Sequence, residues 1–148
     1  MPPLAYRRRD THHSYMVRPC FLIIDQEYSG NISTRKLVIE TAKFNVITAY
    51  SGEEALETLT KFPFVDGIVL DPGVRDLPCG LLVKRIKESH PRLAIILAGT
   101  LGKDHCDGAD YYLETFDPNK LLRVLQELEP EKTAQILRND QKLIEPRS

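Results

Sequence analysis

The stretch IVLDPGVRDLPCG, residues 68 to 80, runs a branched apolar segment directly into Asp71 and then into proline and glycine. Such a segment is typical of a strand that is buried on both faces of a sheet and ends in a turn. Asp71 is therefore either the first residue of an ordinary turn or an acid held at a strand end for metal binding or phosphoryl transfer. The rest of the chain decides between these two interpretations.

The composition is that of an ordinary globular protein of one domain, with 148 residues, 42% hydrophobic and 28% charged. Twenty basic and 21 acidic residues leave a formal charge of −1, so no strong overall field attracts nucleic acid or a membrane. No apolar run approaches the roughly 20 residues that span a bilayer. The basic N-terminus lacks the apolar core of a secretory signal. We therefore expect a cytoplasmic protein that binds neither membrane nor nucleic acid.

The chain has three cysteines, Cys20, Cys79 and Cys106, an odd number without the spacing of metal ligands. For a cytoplasmic protein this predicts three reduced thiols. Cys79 lies near Asp71 in the sequence, and we interpret it as a small packing residue. Cys106 receives the same interpretation.

Apolar strand-like segments alternate with helical segments from Cys20 onward. The predicted strands are CFLII, FNVITAY, DGIVL, LAIILA and ADYYLE, and the predicted helices are ISTRKLVIETAK, SGEEALETLTKF, GLLVKRIKESH and DPNKLLRVLQELE. The first helix has an apolar stripe at Leu37, Val38 and Thr41 or Ala42. Ser51 is a predicted N-cap, and Pro118 lies in the first turn of the last of these helices.

This alternation predicts right-handed βαβ units on one parallel sheet. Five strands fit the flavodoxin-like, doubly wound α/β architecture with strand order 2-1-3-4-5. We expect a flexible N-terminal arm over residues 1–18, the folded domain over 19–129, and a C-terminal helical extension or tail over 130–148. The pair His12 and His13 in the arm lacks further metal ligands and is interpreted as part of a solvated tail.

In doubly wound folds, ligands bind beyond the carboxyl ends of the strands, at the switch point of the strand order. Asp25 ends the predicted first strand and Asp71 ends the third, and these two strands are neighbours across that point. We therefore predict that both carboxylates point into one cleft. This favours a chemical role for Asp71 over a simple turn.

Five segments in unbroken order resemble the receiver domain of two-component response regulators. They are FLIIDQE, VITAYSGEEALETL, DGIVLD, GLLVKRIKESHPRLAIIL and GADYYLETFDPNKLL, and they cover roughly residues 19 to 129. The resemblance implies the (βα)5 receiver fold. It also implies a sensor histidine kinase or phosphotransfer protein as a partner, and no enzymatic activity of the chain's own.

The resemblance also implies roles for particular residues. Asp71 stands at the position of the phosphoacceptor aspartate, and Asp25 at the first of the two acids that hold Mg²⁺. The backbone carbonyl of Gly73 stands at the main-chain metal ligand. Tyr112 stands at the aromatic residue that couples the site to the output face, although simple packing at a strand end remains an alternative for it.

Several positions depart from the receiver pattern. Gln26 replaces the second acid and is at best a weak substitute ligand. The conserved hydroxyl position falls on Gly99, or on Thr100 if the alignment slips by one residue. The Lys-Pro dipeptide after the fifth strand is missing, because Thr115 and Phe116 stand there.

These losses remove charge from a site where charge is the main catalytic element. A unit charge pair at about 4 Å is worth about 4 kcal/mol at an effective dielectric of about 20, before desolvation. We therefore expect weakened Mg²⁺ binding and impaired phosphorylation of Asp71. The residues that could compensate are Asp76, Glu27 and Lys103.

Two functions remain open. The first is a stand-alone response regulator that acts in a phosphorelay and contacts an output protein through the face of the last helix and fifth strand. The second is a docking or dimerisation module that works without phosphorylation, in which an added helix with Ile136, Leu137, Lys142 and Leu143 could contact a partner or a second copy of the chain. An enzymatic function finds no support, because DQEYSGN offers a single glycine, Gly30, in place of a phosphate-binding loop.

Overall fold

The structure is a computed structural model that describes residues 18–26, 34–99, 106–113 and 117–144, with the backbone alone over 140–144. The described part contains five strands and five helices. They are β1 (Cys20–Ile24), α1 (Thr34–Thr41), β2 (Asn45–Ala49), α2 (Gly52–Lys61), β3 (Gly67–Leu70), α3 (Cys79–Ser89), β4 (Ala94–Ala98), β5 (Tyr111–Leu113), α4 (Pro118–Leu128) and α5 (Pro130–Ile144). All strand pairs are parallel and their order is β2-β1-β3-β4-β5. The predicted flavodoxin-like fold is confirmed.

Helices cover both faces of the sheet. Alternate strand residues point to opposite sides, so strands β1 to β4 each contribute to an apolar cluster on each face. Leu22 and Ile24 of β1 pack in a cluster with residues of α2 and α3. Phe21 and Ile23 pack in a second cluster with residues of α1, α4 and α5. The central strands β1, β3 and β4 are buried almost throughout, which explains why their sequences are continuous apolar runs rather than alternating ones.

The first helix buries part of the predicted stripe, Val38 and Ala42, but not Leu37. Leu37 belongs to the predicted stripe but is 51% exposed, whereas Ile39 is fully buried. Val38 and Ala42 pack partly against the same cluster as Ile39. The buried face therefore follows positions 35, 38, 39 and 42, the i, i+3, i+4, i+7 pattern of a helix. This register places Arg35 on the inner face.

The prediction of three reduced thiols is wrong for two of them. Cys79 and Cys106 form a disulfide with their Cα atoms 5.2 Å apart, and Cys20 is the free cysteine among the described residues. The two partners are 27 residues apart in sequence but adjacent in the fold, because α3 begins beside the end of the β4–β5 connection. Sequence spacing alone does not contain this adjacency.

The structure describes only part of the connection between β4 and β5. This connection covers residues 99–110, of which the structure describes Gly99 and 106–110, and those described residues contain no helix. The β1–β2, β2–β3 and β3–β4 crossovers each contain one. Tyr112, on the edge strand β5, is 47% exposed.

The C-terminal segment is helical over Pro130–Ile144 and packs on the domain. Ile136 is 5% exposed and belongs to the cluster of α1 and α4. The Nζ atom of Lys132 lies 3.4 Å from Oδ1 of Asp66, the residue before β3. This ion pair anchors the start of α5. No helix among the described residues is long and apolar enough to cross a membrane.

Candidate functional site

The two predicted acids lie side by side at the carboxyl edge of the sheet. The N–H of Asp25 donates to the carbonyl of Ala49, and the N–H of Asp71 donates to the carbonyl of Ile24, both at 2.9 Å. These bonds continue the parallel ladders one residue beyond the strands. They carry both aspartates into the same pocket, where Asp25 is only 6% exposed. The Oδ1 atom of Asp71 accepts a hydrogen bond of 2.8 Å from the N–H of Gly73.

Arg35 of α1 lies between the carboxylates of Asp25 and Asp71. Its Nη1 atom is 3.1 Å from Oδ1 of Asp25 and 3.6 Å from Oδ2 of Asp71. Its Nε and Nη2 atoms donate to the carbonyl oxygen of Ala98, at 2.8 and 2.5 Å. The guanidinium of Arg35 therefore joins the ends of β1, β3 and β4, and its charge offsets part of the charge of the two acids. Arginine suits this position because its planar fork presents several donors at once.

The helix register explains how Arg35 reaches the pocket. It is the second residue of α1, a helix that begins at the carboxyl edge of the sheet. Because Arg35 shares the inner stripe with Val38 and Ile39, its side chain points inward toward the strand ends. The sequence prediction misses Arg35 because the predicted stripe includes Leu37 in place of Ile39 and does not extend back to position 35. The spacing Arg35, Val38, Ile39, Ala42 was the available signal.

Gly99 leaves the space that Arg35 occupies. A Cβ atom at position 99 would lie 3.0 Å from Nη2 of Arg35 and 3.1 Å from Cδ of Pro72. The φ angle of Gly99 is +150°, a conformation that is essentially restricted to glycine. A serine or threonine would therefore be strained and would crowd the guanidinium. The missing hydroxyl and the presence of Arg35 are two parts of one local arrangement. Thr100, the alternative hydroxyl position, lies outside the described residues.

Gln26 and Gly73 are in close contact at the rim of the pocket. A Cβ atom at position 73 would lie 1.7 Å from Nε2 of Gln26, so this close approach requires glycine. The predicted ligand positions 25, 26, 71 and 73 are thus brought to the same edge of the sheet. The side-chain amide of Gln26 is thus sufficient reason for a glycine at position 73, whether or not the carbonyl of Gly73 binds a metal.

With Arg35 in this position, the residues present do not fit Mg²⁺. A magnesium ion lies about 2.0–2.1 Å from its oxygen ligands. An ion bound by both aspartates would occupy the space of the Nη1 atom, which lies 3.1 and 3.6 Å from those same carboxylates. Two cations would then be in direct contact. Within the described ranges, no cluster of three or more histidine, cysteine or acidic side chains offers another metal site.

Asp76, a candidate for the missing acid, has a different role. Its Oδ1 atom accepts from the N–H of Gly52 at 2.8 Å and its Oδ2 atom from the N–H of Glu53 at 2.9 Å. Ser51 caps the next N–H, that of Glu54. Asp76 therefore caps the N-terminus of α2 from the loop that follows β3. The other candidates, Glu27 and Lys103, lie outside the described residues.

The capping bonds change the protonation of Asp76. Desolvation raises the pKa of its carboxyl group, but hydrogen bonds from backbone N–H groups outweigh this effect and bring the pKa below its ordinary value. The donors are those of Glu53, Gly52, Leu77 and Asp76 itself. The negative charge at this helix N-terminus is also favoured by the helix dipole.

Replacing Asp76 with alanine is expected to lower the free energy of unfolding by about 1 kcal/mol near neutral pH, the usual cost of losing a cap. Because the pKa is lower in the folded protein, this contribution is complete above the unfolded pKa of about 4 and is lost as the pH falls through the folded pKa. Urea denaturation should therefore show the difference from wild type shrinking below about pH 4. Glu57→Ala, an exposed acid on the same helix, is the control. An equal loss in both variants would contradict the capping role.

Tyr112 lies outside the acidic pocket. It is paired with Leu97 in the sheet, and the residue is 47% exposed. Its hydroxyl group donates a hydrogen bond of 3.2 Å to the carbonyl of Cys106. Tyr112 is thus held at the sheet edge by the same cysteine that forms the disulfide. Thr115 and Phe116, which replace the Lys-Pro dipeptide, lie outside the described residues.

Comparison with solved structures gives a consistent result. A proposed response regulator from Chloroflexus aurantiacus J-10-fl is 25% identical, with a TM-score of 0.63, over 75% of this chain and 97% of that chain. A receiver domain protein from Clostridium thermocellum is 24% identical over 79% and 98% of the two chains, with a TM-score of 0.64. The chemotaxis response regulator CheY4 of Vibrio cholerae is 22% identical over 75% and 98%, with a TM-score of 0.61.

No family model matches the chain, and no curated protein matches it either. The solved structures nevertheless agree with one another, and each is covered almost completely. The domain therefore has the fold of response regulator receiver domains, and the resemblance drawn from the sequence is confirmed.

Proposed function

We propose that this chain is a receiver-type signalling domain of two-component systems that acts through protein contacts without phosphorylation of Asp71. The observation that carries the proposal is the guanidinium of Arg35, which contacts Asp25, Asp71 and the carbonyl of Ala98. A residue of the chain itself thus supplies the positive charge that the receiver resemblance assigns to Mg²⁺ and to the missing lysine. The similar solved structures support the signalling class.

The proposal follows from what phosphoryl transfer requires. The carboxylate of Asp71 would have to attack phosphorus while cations hold the charge spread over the phosphoryl oxygens. Here the carboxylate is already paired with a guanidinium that remains charged and is fixed by two hydrogen bonds to Ala98. Both the nucleophile and the metal position are therefore engaged. Asp25 and Asp71 then serve to hold Arg35 and to join three strand ends.

The output in this proposal is a contact with another protein. The exposed edge of β5 with Tyr112, together with the adjoining face of α4, forms the surface that the receiver resemblance assigns to output partners. Binding of the output partner would then not require phosphorylation of Asp71 by a sensor kinase. We further infer that the chain has no enzymatic activity of its own and that it works in the cytoplasm.

A second candidate function rests on the same arginine. Nη1 of Arg35 lies close enough to Asp71 that, after a small side-chain movement, it could bind a phosphoryl group on that residue. Arg35 would then replace the missing lysine, and Asp71 would be a working phosphoacceptor. The two candidates make opposite predictions for phosphorylation.

Incubation with acetyl phosphate and Mg²⁺, followed by intact mass measurement, separates them. We expect no phosphoryl adduct on the wild type, and none on Asp71→Asn. Arg35→Ala should gain a measurable adduct, because the metal position becomes accessible. Lys36→Ala, which removes a positive charge from the same turn of α1, is the control and should behave as wild type. A nearly stoichiometric adduct on the wild type that is absent in Asp71→Asn would favour the second candidate.

A further inference from the structure

The pair Cys79 and Cys106 lies at the junction of two functional segments. Cys79 is the first residue of α3 and follows the loop that carries Asp71 and Asp76. Cys106 comes shortly before β5 and is 2% exposed. We propose that this pair is a thiol–disulfide switch that reacts with small disulfides and sets the position of Tyr112. This inference does not depend on how Asp71 is used.

The link from the disulfide to Tyr112 is direct. The carbonyl of Cys106 accepts the hydrogen bond from the Tyr112 hydroxyl group. When the disulfide is formed, this carbonyl is joined covalently to the N-terminus of α3. α3 itself is anchored through Leu82, Val83 and Ile86, all buried in the core. Oxidation therefore fixes the acceptor that holds the exposed aromatic ring, and reduction removes that constraint.

The two cysteines differ in exposure, as an attacking and a resolving residue should. Cys79 is partly exposed, and its position at a helix N-terminus stabilises a thiolate. Cys106 is buried beside it and can react only with its neighbour. Cys20 is a contrasting thiol, because burial and then the nearby carboxylate of Asp66 raise its pKa. We therefore expect Cys20 to be the least reactive of the three.

A groove lies beside the pair, where a small disulfide could bind. It has a volume of about 590 Å³ and is lined by residues that include Gly80 and Asp107, each adjacent in sequence to one of the bonded cysteines. Lys84 and Lys87 line it together with the acids Glu88 and Asp107, so the groove offers charged partners both to the carboxylates and to the ammonium groups of a peptide disulfide such as oxidised glutathione. Lys87 additionally contacts Asp110, which places it at the entrance to β5.

The reaction balances as two exchanges. The thiolate of Cys79 attacks one sulfur of oxidised glutathione, which forms a mixed disulfide and releases one glutathione thiolate. The thiolate of Cys106 then attacks the sulfur of Cys79, forms the Cys79–Cys106 bond and releases the second glutathione thiolate. The two protons lost by the cysteines are taken up by the released thiolates. One small disulfide is reduced for each protein disulfide formed.

The first test is a titration of the full chain in buffers of reduced and oxidised glutathione, followed by alkylation of the denatured protein with N-ethylmaleimide. We expect a single transition between three alkylated cysteines and one, with Cys20 the alkylated residue in the oxidised form. The melting temperature should fall by about 5–10 °C on reduction. Cys20→Ser should show a transition at the same ratio of reduced to oxidised glutathione, from two alkylated cysteines to none. If oxidation yields only glutathione adducts at any ratio, the pair does not form a switch.

The second test asks whether the disulfide controls Tyr112. We expect the NMR signals of the Tyr112 ring and of Gly108 and Ala109 to differ between oxidised and reduced wild type. Tyr112→Phe lacks the hydrogen bond, so its ring signals should change much less on reduction. If the Tyr112 signals are the same in both states, the disulfide has only a structural role and the switch is excluded. Because both states are wild type, the result does not depend on whether a cysteine variant folds.

Discussion

The variant Arg35→Ala is expected to lose about 3 kcal/mol of unfolding free energy in the absence of divalent cations, and to recover most of it in Mg²⁺. The loss follows from the burial of the pocket, because removing one partner of a buried ion pair typically costs about 3–5 kcal/mol. The side chains of Asp25 and Arg35 are only 9% and 17% exposed. Without the guanidinium, the carboxylates of Asp25 and Asp71 lose the cation that lies 3.1 and 3.6 Å from them.

The recovery follows from the oxygen ligands that the variant leaves behind. Two neighbouring carboxylates and main-chain oxygens are the ligands that Mg²⁺ prefers. A ligand that binds only the folded state at a hundred times its Kd stabilises that state by about 2.7 kcal/mol. The wild type should gain almost nothing from the same addition, because Arg35 occupies the position of the ion.

Urea denaturation with EDTA and with Mg²⁺ measures both effects. Lys36→Ala is the matched control, since it removes an exposed cation from the same turn, and it should change stability by no more than about 0.5 kcal/mol in either buffer. If the stability of Arg35→Ala equals that of wild type in both buffers, the guanidinium does not neutralise the pocket. If instead the wild type is itself stabilised by Mg²⁺, Arg35 leaves the pocket readily and the second candidate function gains support.

The sequence predicts the sheet well because its signals there are local. Continuous apolar runs identified β1, β3 and β4, and the parallel order follows from the alternation with helices. The meeting of Asp25 and Asp71 also follows, because parallel strands end at a common edge and both acids come directly after a strand. These predictions need only the periodicity of short segments and the rules of connection between them.

The parts that were missed depend on contacts between distant segments. Moving the assigned buried face of α1 by one residue decides whether Arg35 is expected to point inward or outward. A helix of eight residues is too short for its apolar pattern to fix that face. Gly99 looks like a lost hydroxyl until the guanidinium beside it is known. The pairing of Cys79 with Cys106 joins α3 to the segment before β5, and the compartment rule pointed in the opposite direction.

Asp76, a candidate for compensating the missing acid, caps α2 instead. The sequence places Asp76 in the loop after Asp71, close enough in the chain to replace the acid that is missing at Gln26. The loop instead turns it toward α2, where two backbone N–H groups lack acceptors within their own helix. A carboxylate binds the unsatisfied N–H groups that lie nearest to it in space. The sequence does not show that those of Gly52 and Glu53 lie next to Asp76.

The boundary predicted at residue 129 is best tested at Ile136. This side chain is 5% exposed and packs in the cluster formed by α1, α4 and the sheet. Ile136→Ala is expected to lower the unfolding free energy by about 2–4 kcal/mol, the usual cost of truncating a buried isoleucine. The loss combines fewer apolar contacts with the cavity that remains.

Leu137 provides a control next to Ile136 in sequence. It lies on the same helix but is 58% exposed, so Leu137→Ala should change stability by no more than about 0.5 kcal/mol. Urea denaturation of both variants, monitored by circular dichroism, gives the comparison. A large loss for Ile136→Ala alone, in a single cooperative transition, would make α5 part of the receiver domain's core. Equal and small effects would make residues 130–144 an appendage, because a helix that contributes no burial to the core can be truncated without cost.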